Sequence, residues 1–136
     1  MKKFWEIFKN VIMTLWQLPQ IIIGFLWACI VGIDKVDLMR GGRLVAYSKN
    51  MKSGVSFGAI MVISLTYYMD DSTRVEHHEF GHALQSAYLG WLYLIVIGIP
   101  SAVWRIFYKG EPSGYYKFYT ERWADKLGGV KRELYV

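Results

Sequence analysis

From Val11 to Ile33, 23 residues in all, the chain carries no charged side chain. At about 1.5 Å of rise per residue that is roughly 34 Å of helix, enough to cross a bilayer with some tilt. Composition points the same way: 54% hydrophobic and 17% aromatic residues, six of them Trp, exceed what an ordinary small soluble domain carries. The run is read as a transmembrane helix over 11–33, kinked where Gln17, Pro19 and Gln20 interrupt it, with a broken, partly inserted helix as the alternative. A secretory signal peptide is the competing reading, since Lys2 and Lys3 precede the run and Leu26-Trp27-Ala28-Cys29 has the outline of a lipoprotein cleavage box. Trp27 is too bulky for such a site, and the apolar run continues past it to Ile33. Cys29 is the single cysteine, so it forms no internal disulfide and is read as a small apolar packing residue.

The net charge of +5 does not signal nucleic acid, because Lys2, Lys3, Lys9, Lys35, Arg40, Arg43, Lys49 and Lys52 are scattered and form no compact block. Anionic headgroups account for them more simply. Basic residues flank the first apolar run on both sides, which leaves its orientation open.

Chemistry is concentrated in His78-Glu79-Phe80-Gly81-His82. Two imidazoles four residues apart on a helix point the same way and can share one zinc ion, with the intervening Glu beside it. A carboxylate so placed can take a proton from a metal-bound water whose pKa the zinc has brought to near 7. The segment has helix-start signals in Asp71-Ser72-Thr73, with Thr73 and Glu76 at capping-box spacing, and Gly90 supplies a stop, so a helix is expected over 73–89. A catalytic zinc needs a third protein ligand. In a helix expected over 115–127 and ended by Gly128-Gly129, Glu121 and Asp125 lie one turn apart, so Glu121 can bind the metal while Asp125 orients a ligating His.

Together the two segments resemble the His-Glu-x-x-His and Glu-x-x-Ala-Asp motifs of gluzincin metallopeptidases, notably the membrane group that includes the CAAX prenyl endopeptidase and the bacterial heat-shock membrane protease. The resemblance covers only the two helices, and at 136 residues this chain would be a minimal relative. It implies one Zn2+ per chain held by His78, His82 and Glu121, with Glu79 as general base and proton shuttle and Asp125 behind the ligands. It also implies a peptide or membrane-protein substrate, and an integral protein of a bacterial cytoplasmic membrane. His77, Tyr115, Tyr116, Tyr119 and Arg122 are candidate oxyanion or substrate contacts, among which sequence does not choose, and the four-residue spacing of His82 to His78 favours His77 as an exposed neighbour of the motif. Gln85 and Ser86 either line or support the site or have a plain packing role. The rival reading is a non-catalytic zinc-containing membrane protein that binds or assists a partner. The intact Glu79 argues against it, because a purely structural site has no use for that group.

Between the metal helix and the apolar run, Asp34 to Gly42 reads as a surface loop. Arg43–Ser48 and Val55–Thr66, separated by residues 49–54, then read as a β-hairpin. Its edge could hold an extended peptide beside the zinc, or it could simply cover the helix. The stretch Trp91 to Tyr108 is nearly all apolar, yet only 38 residues separate His82 from Glu121. A single crossing would carry the chain about 27 Å from the metal and force the polar residues 109–120 back through lipid. The segment is therefore expected as a membrane-inserted hairpin broken at Gly98-Ile99-Pro100-Ser101, unless the zinc itself lies within the bilayer. Trp91, Tyr93, Trp104, Tyr108, Tyr115 and Tyr116 suit an interfacial belt. With no repeat or linker, the whole chain is expected to be one membrane-embedded α+β domain, mainly helical.

Overall fold

A computed structural model describes residues 1–39, 43–69 and 73–132. Its elements run α1 (Lys2–Trp16), α2 (Leu18–Val31), β1 (Lys35–Met39), β2 (Arg43–Ser48), β3 (Gly54–Phe57), β4 (Ile60–Ser64), α3 (Leu65–Met69), α4 (Thr73–Leu89), α5 (Ile99–Phe107), α6 (Pro112–Tyr115) and α7 (Tyr119–Gly128). A 3₁₀ turn (Gly90–Leu92) and a π turn (Leu94–Gly98) link α4 to α5.

The sheet is more than a hairpin. Its order is β1-β2-β4-β3, with β2 and β4 parallel and the outer pairs antiparallel. The expected partners 43–48 and 55–66 are thus neighbours running the same way. The run 55–66 is itself two strands, folded at Gly58, whose φ of 75° suits glycine at a tight turn. A side chain at Gly58 would also strike Ser86 Oγ and Gln17 Oε1. Residues 35–39, expected as loop, form edge strand β1, while Arg40 to Gly42 lie outside the described residues. Val45, Tyr47, Met61 and Ile63 point from one face of the central strands toward Ala83, Val75 and Phe80 of α4, and together make the core. The opposite face packs on α2, where Gly24 lets the helix backbone approach Phe57. The result is an α+β sandwich with α2 on one side of a four-stranded sheet and α4 with α7 on the other.

This overturns the expectation of a mainly helical integral membrane fold. The 11–33 run is not one helix: α1 and α2 meet at Gln17 with a bend of 77°, and among the described residues no single helix is long and apolar enough to cross a membrane. The cause is the polar pair within the run. Gln20 Nε2 donates to Ser86 Oγ and to the Gly90 carbonyl, both at 2.8 Å, and Ser86 Oγ in turn donates to Gln17 Oε1 at 2.8 Å. Buried amides that find such partners belong in a protein interior, and they fix the break against the end of α4. The expected hairpin at 98–101 is absent too. Leu94–Phe107 is continuous helical chain, since Pro100 falls in the first turn of α5, where no amide hydrogen is needed, and the π turn before it absorbs the mismatch. Of the aromatics expected at an interface, Tyr93 is instead buried, its hydroxyl donating to the Ser56 carbonyl. Trp104 stacks on Phe118 and donates to the Tyr115 carbonyl, tying α5 to α6 and α7. Cys29 is exposed instead of packed. Asp71 and Ser72 fall outside the described residues, and Thr73 begins α4 as a helical residue.

Helices α4 and α7 cross in backbone contact. A Cβ at Gly81 would lie 1.9 Å from the Ala124 carbonyl oxygen, and one at Gly128 would lie 1.9 Å from that of His77. Gly128, expected to terminate α7, is its last helical residue and part of this crossing, while Gly129 caps the helix with φ 73°. Because both obstacles are backbone, a methyl group can be admitted only by separating the helices. Gly81→Ala is expected to destabilise by about 3 kcal/mol or more, the upper end of overpacking costs, read as a lower urea midpoint with an unchanged slope.

Candidate metal centre

The crossing sets the site. His78 and His82 lie one turn apart on α4, and Glu121 reaches them from the first turn of α7. Glu121 Oε2 is 3.0 Å from His78 Nε2 and 3.3 Å from His82 Nε2, and the three ligand atoms all lie within 4.8 Å of one another. Ligands about 2.0–2.2 Å from a tetrahedral ion stand roughly 3.4 Å apart, so these spacings approximate the edges of such a site. The rings stand nearly perpendicular, at 87°. All three residues are buried, and together they form a group that could hold a metal ion.

Each ligand is held from behind. His78 Nδ1 is 2.7 Å from Asp125 Oδ1. His82 Nδ1 is 2.7 Å from Gln85 Oε1, and Gln85 is itself fixed by donating to the Thr120 carbonyl at 2.9 Å. With acceptors against both Nδ1 atoms, the proton of each neutral ring sits there and the Nε2 lone pairs face inward. Glu121 Oε1 accepts from Ser101 Oγ at 2.9 Å and Thr120 Oγ1 at 3.2 Å, which leaves Oε2 turned to the histidines. Arg132 Nε and Nη2 donate to the two oxygens of Asp125 at 2.6 and 3.2 Å.

Charge follows geometry. Burial by itself would lower His78, but the hydrogen bonds to Asp125 and Glu121 outweigh it and raise His78 to about 9. Burial would raise Glu121, yet the hydrogen bonds from His78 and His82 and their charge hold it well below the usual carboxylate range.

Glu79 stands beside this group, almost fully buried, with Oε2 lacking a hydrogen-bond partner among the described residues. It packs against the start of edge strand β3, where a Cβ at Gly54 would lie 2.8 Å from both Cγ and Oε1 of Glu79. The Gly54 carbonyl accepts from Arg105 Nη2 at 3.0 Å. Glu79, His82 and Glu121 open onto a cleft of about 380 Å³ with mainly apolar walls, including Trp27, Val55, Phe57, Leu94, Ile99 and Ile106. Arg105 and Tyr115 also line it.

Of the remaining candidates, Tyr115 is therefore in the cleft, and Tyr116 lies edge-on to the His78 ring, 5.5 Å between centroids. His77, Tyr119 and Arg122 are not brought to it. His77 is exposed, the Tyr119 hydroxyl donates to the Val96 carbonyl at 2.6 Å, and Arg122 borders a separate groove with Trp123 and Lys126. Ser86 belongs to the Gln17–Gln20 cluster instead of the site. Sequence reasoning passed over Ser101, Thr120, Arg105 and Arg132. Ser101 carried a signal, being a hydroxyl inside an apolar run, but the others have none until the helices are placed. Comparison of the chain with protein-family models, with curated proteins and with solved structures finds no match, so the likeness to gluzincin peptidases rests on the two motif segments alone.

Proposed function

We propose that this chain is a zinc-dependent peptidase. The observation that carries the reading is a buried two-histidine, one-carboxylate group with a further carboxylate, Glu79, whose Oε2 is buried without a partner at the head of an apolar cleft. Two imidazoles and one carboxylate suit zinc, and three protein ligands are the complement of a catalytic site, which keeps one position for water. Zinc held by His78, His82 and Glu121 would supply Lewis acidity toward a water and toward the scissile carbonyl. Glu79, buried at the head of the cleft with one oxygen unpartnered among the described residues, is the group that would accept the water's proton and pass it to the leaving amine. Gln85 and Asp125 hold the two rings, and Ser101 and Thr120 hold Glu121, so the ligands need little rearrangement. Tyr115 and Arg105 are the donors in the cleft for the developing oxyanion.

A peptide suits the cleft for two reasons. β3 is an edge strand that begins against Glu79; its Gly54 and Ser56 carbonyls already accept from Arg105 and Tyr93, which leaves its outer amides to hold an extended chain beside the base. The apolar walls then favour a bulky apolar side chain next to the scissile bond. Chelator dialysis is expected to abolish cleavage of a peptide library enriched in such residues, and one equivalent of zinc per chain to restore it. Cleavage that survives in metal-free protein would refute the proposal. One tightly bound zinc without cleavage of any peptide would assign the chain a binding or accessory role instead.

A further inference from the structure

The fold leaves α1 uncovered. Every residue of this helix is exposed, among them Phe4 at 72%, Trp5 at 54%, Ile7 at 55% and Leu15 at 54%. Among the described residues it is tied to the body of the fold at its last turn, where Trp16 Nε1 donates to the Ala87 carbonyl and the Leu15 carbonyl accepts from Trp91 Nε1.

The exposed side chains are not scattered. At 100° per residue, Phe4, Ile7, Phe8, Val11, Ile12 and Leu15 share one half of the helix, with Trp5 and Trp16 along one border. Lys2, Lys3, Glu6, Lys9, Asn10 and Thr14 share the other half, with Met13 the one apolar residue among them. Three cations against one anion make that half positive, and Lys9 sits 5.7 Å from the Trp5 ring at the border. Indole at the edge of an apolar arc, beside lysine stems that can reach outward, is the arrangement of a helix lying flat between water and acyl chains. The geometry rules out α1 as a span: 15 residues make about 22 Å against a hydrocarbon core of roughly 30 Å, and α2 leaves at 77° to serve the sheet. A second copy of the chain would bring the same lysines to the contact, whereas phosphate headgroups complement them.

We propose that α1 lies in the plane of an anionic bilayer surface, its aromatic and aliphatic half among the acyl chains and its lysines on the phosphates. This does not depend on the metal centre. The test is co-sedimentation of the full chain with vesicles of mixed phosphatidylglycerol and phosphatidylcholine, and with vesicles of phosphatidylcholine alone. The chain is expected to partition to the mixed vesicles and to be largely released from them by high salt, as a spanning segment would not be. Replacing Phe4, Trp5 and Phe8 together by Ser should lower partitioning at least about a hundredfold. Replacing Lys2, Lys3 and Lys9 together by Gln should lower it by roughly tenfold to a hundredfold on the mixed vesicles only. The lysine variant alters only exposed residues, which keeps the test meaningful if the serine variant misfolds, and thermal melting by circular dichroism monitors both. The proposal falls if the unaltered chain ignores anionic vesicles, if either folded variant binds them as the unaltered chain does, or if salt releases nothing. It also falls if sedimentation velocity shows a dimer that the serine variant dissociates, with no vesicle binding.

Discussion

Replacing Glu79 by glutamine is expected to leave one metal ion bound per chain and to reduce peptide hydrolysis by about 10²–10⁴-fold, the share that a positioned acid-base group contributes. Glutamine has the same shape, so the contact with Gly54 and the surrounding packing survive. What it loses is basicity. The loss should appear in kcat with KM little changed, because Glu79 acts on the water and not on the bound peptide. Metal content and melting temperature measured on the same sample separate lost chemistry from lost structure. Unchanged turnover would remove Glu79 as the base, even with the metal in place.

The second large effect is expected at the ligands. His82→Ala or Glu121→Ala should weaken zinc binding by about 10²–10⁴-fold, roughly a third of the ~10–16 kcal/mol that zinc sites supply, read by competition with a chromophoric chelator. The two substitutions should differ in the metal-free protein. Alanine at 82 leaves Gln85 held by the Thr120 carbonyl, whereas alanine at 121 takes the acceptor from both Ser101 and Thr120. Leaving donors unpaired there costs about 1–3 kcal/mol, so Glu121→Ala should also melt earlier without metal. Equal zinc affinity in both variants and the unaltered chain would show that the three side chains do not act as one centre.

The parts of this architecture legible in the sequence are those whose information is local. A four-residue spacing of histidines and a stop at Gly90 place α4, and Glu121 with Asp125 one turn apart place the body of α7, which begins at Tyr119 and not at Tyr115 because a separate turn of helix, Pro112–Tyr115, precedes it. Sheet order is not local. Nothing in Arg43–Ser48 says that its neighbour is Ile60–Ser64 running parallel, with Gly54–Phe57 displaced to the edge. The uncharged run was misleading for a related reason. Gln17 and Gln20 are interruptions in a linear reading, and only their partners Ser86 and the Gly90 carbonyl, some 70 positions on, show that they end one helix and start another. The aromatic residues of 91–116 were likewise ambiguous between lipid boundary and interior, since a ring that stacks on Phe118 and one that meets headgroups have the same composition. At the site, the ligands follow from spacing, while Ser101, Thr120 and Arg132 hold them from segments that only tertiary structure brings near.

The touching of α4 and α7 alters how the five-letter signature should be read. Its fourth letter is not filler: with a methyl group at position 81 the histidines and glutamate would keep their spelling and their helix, yet the helix bearing the carboxylate would be pushed out of reach. Proteome searches that fix only the histidines and the glutamate therefore collect helices that cannot admit a partner so closely. Requiring glycine immediately before the second histidine, and another seven places after the distant carboxylate as Gly128 follows Glu121, would select chains whose main chains can meet.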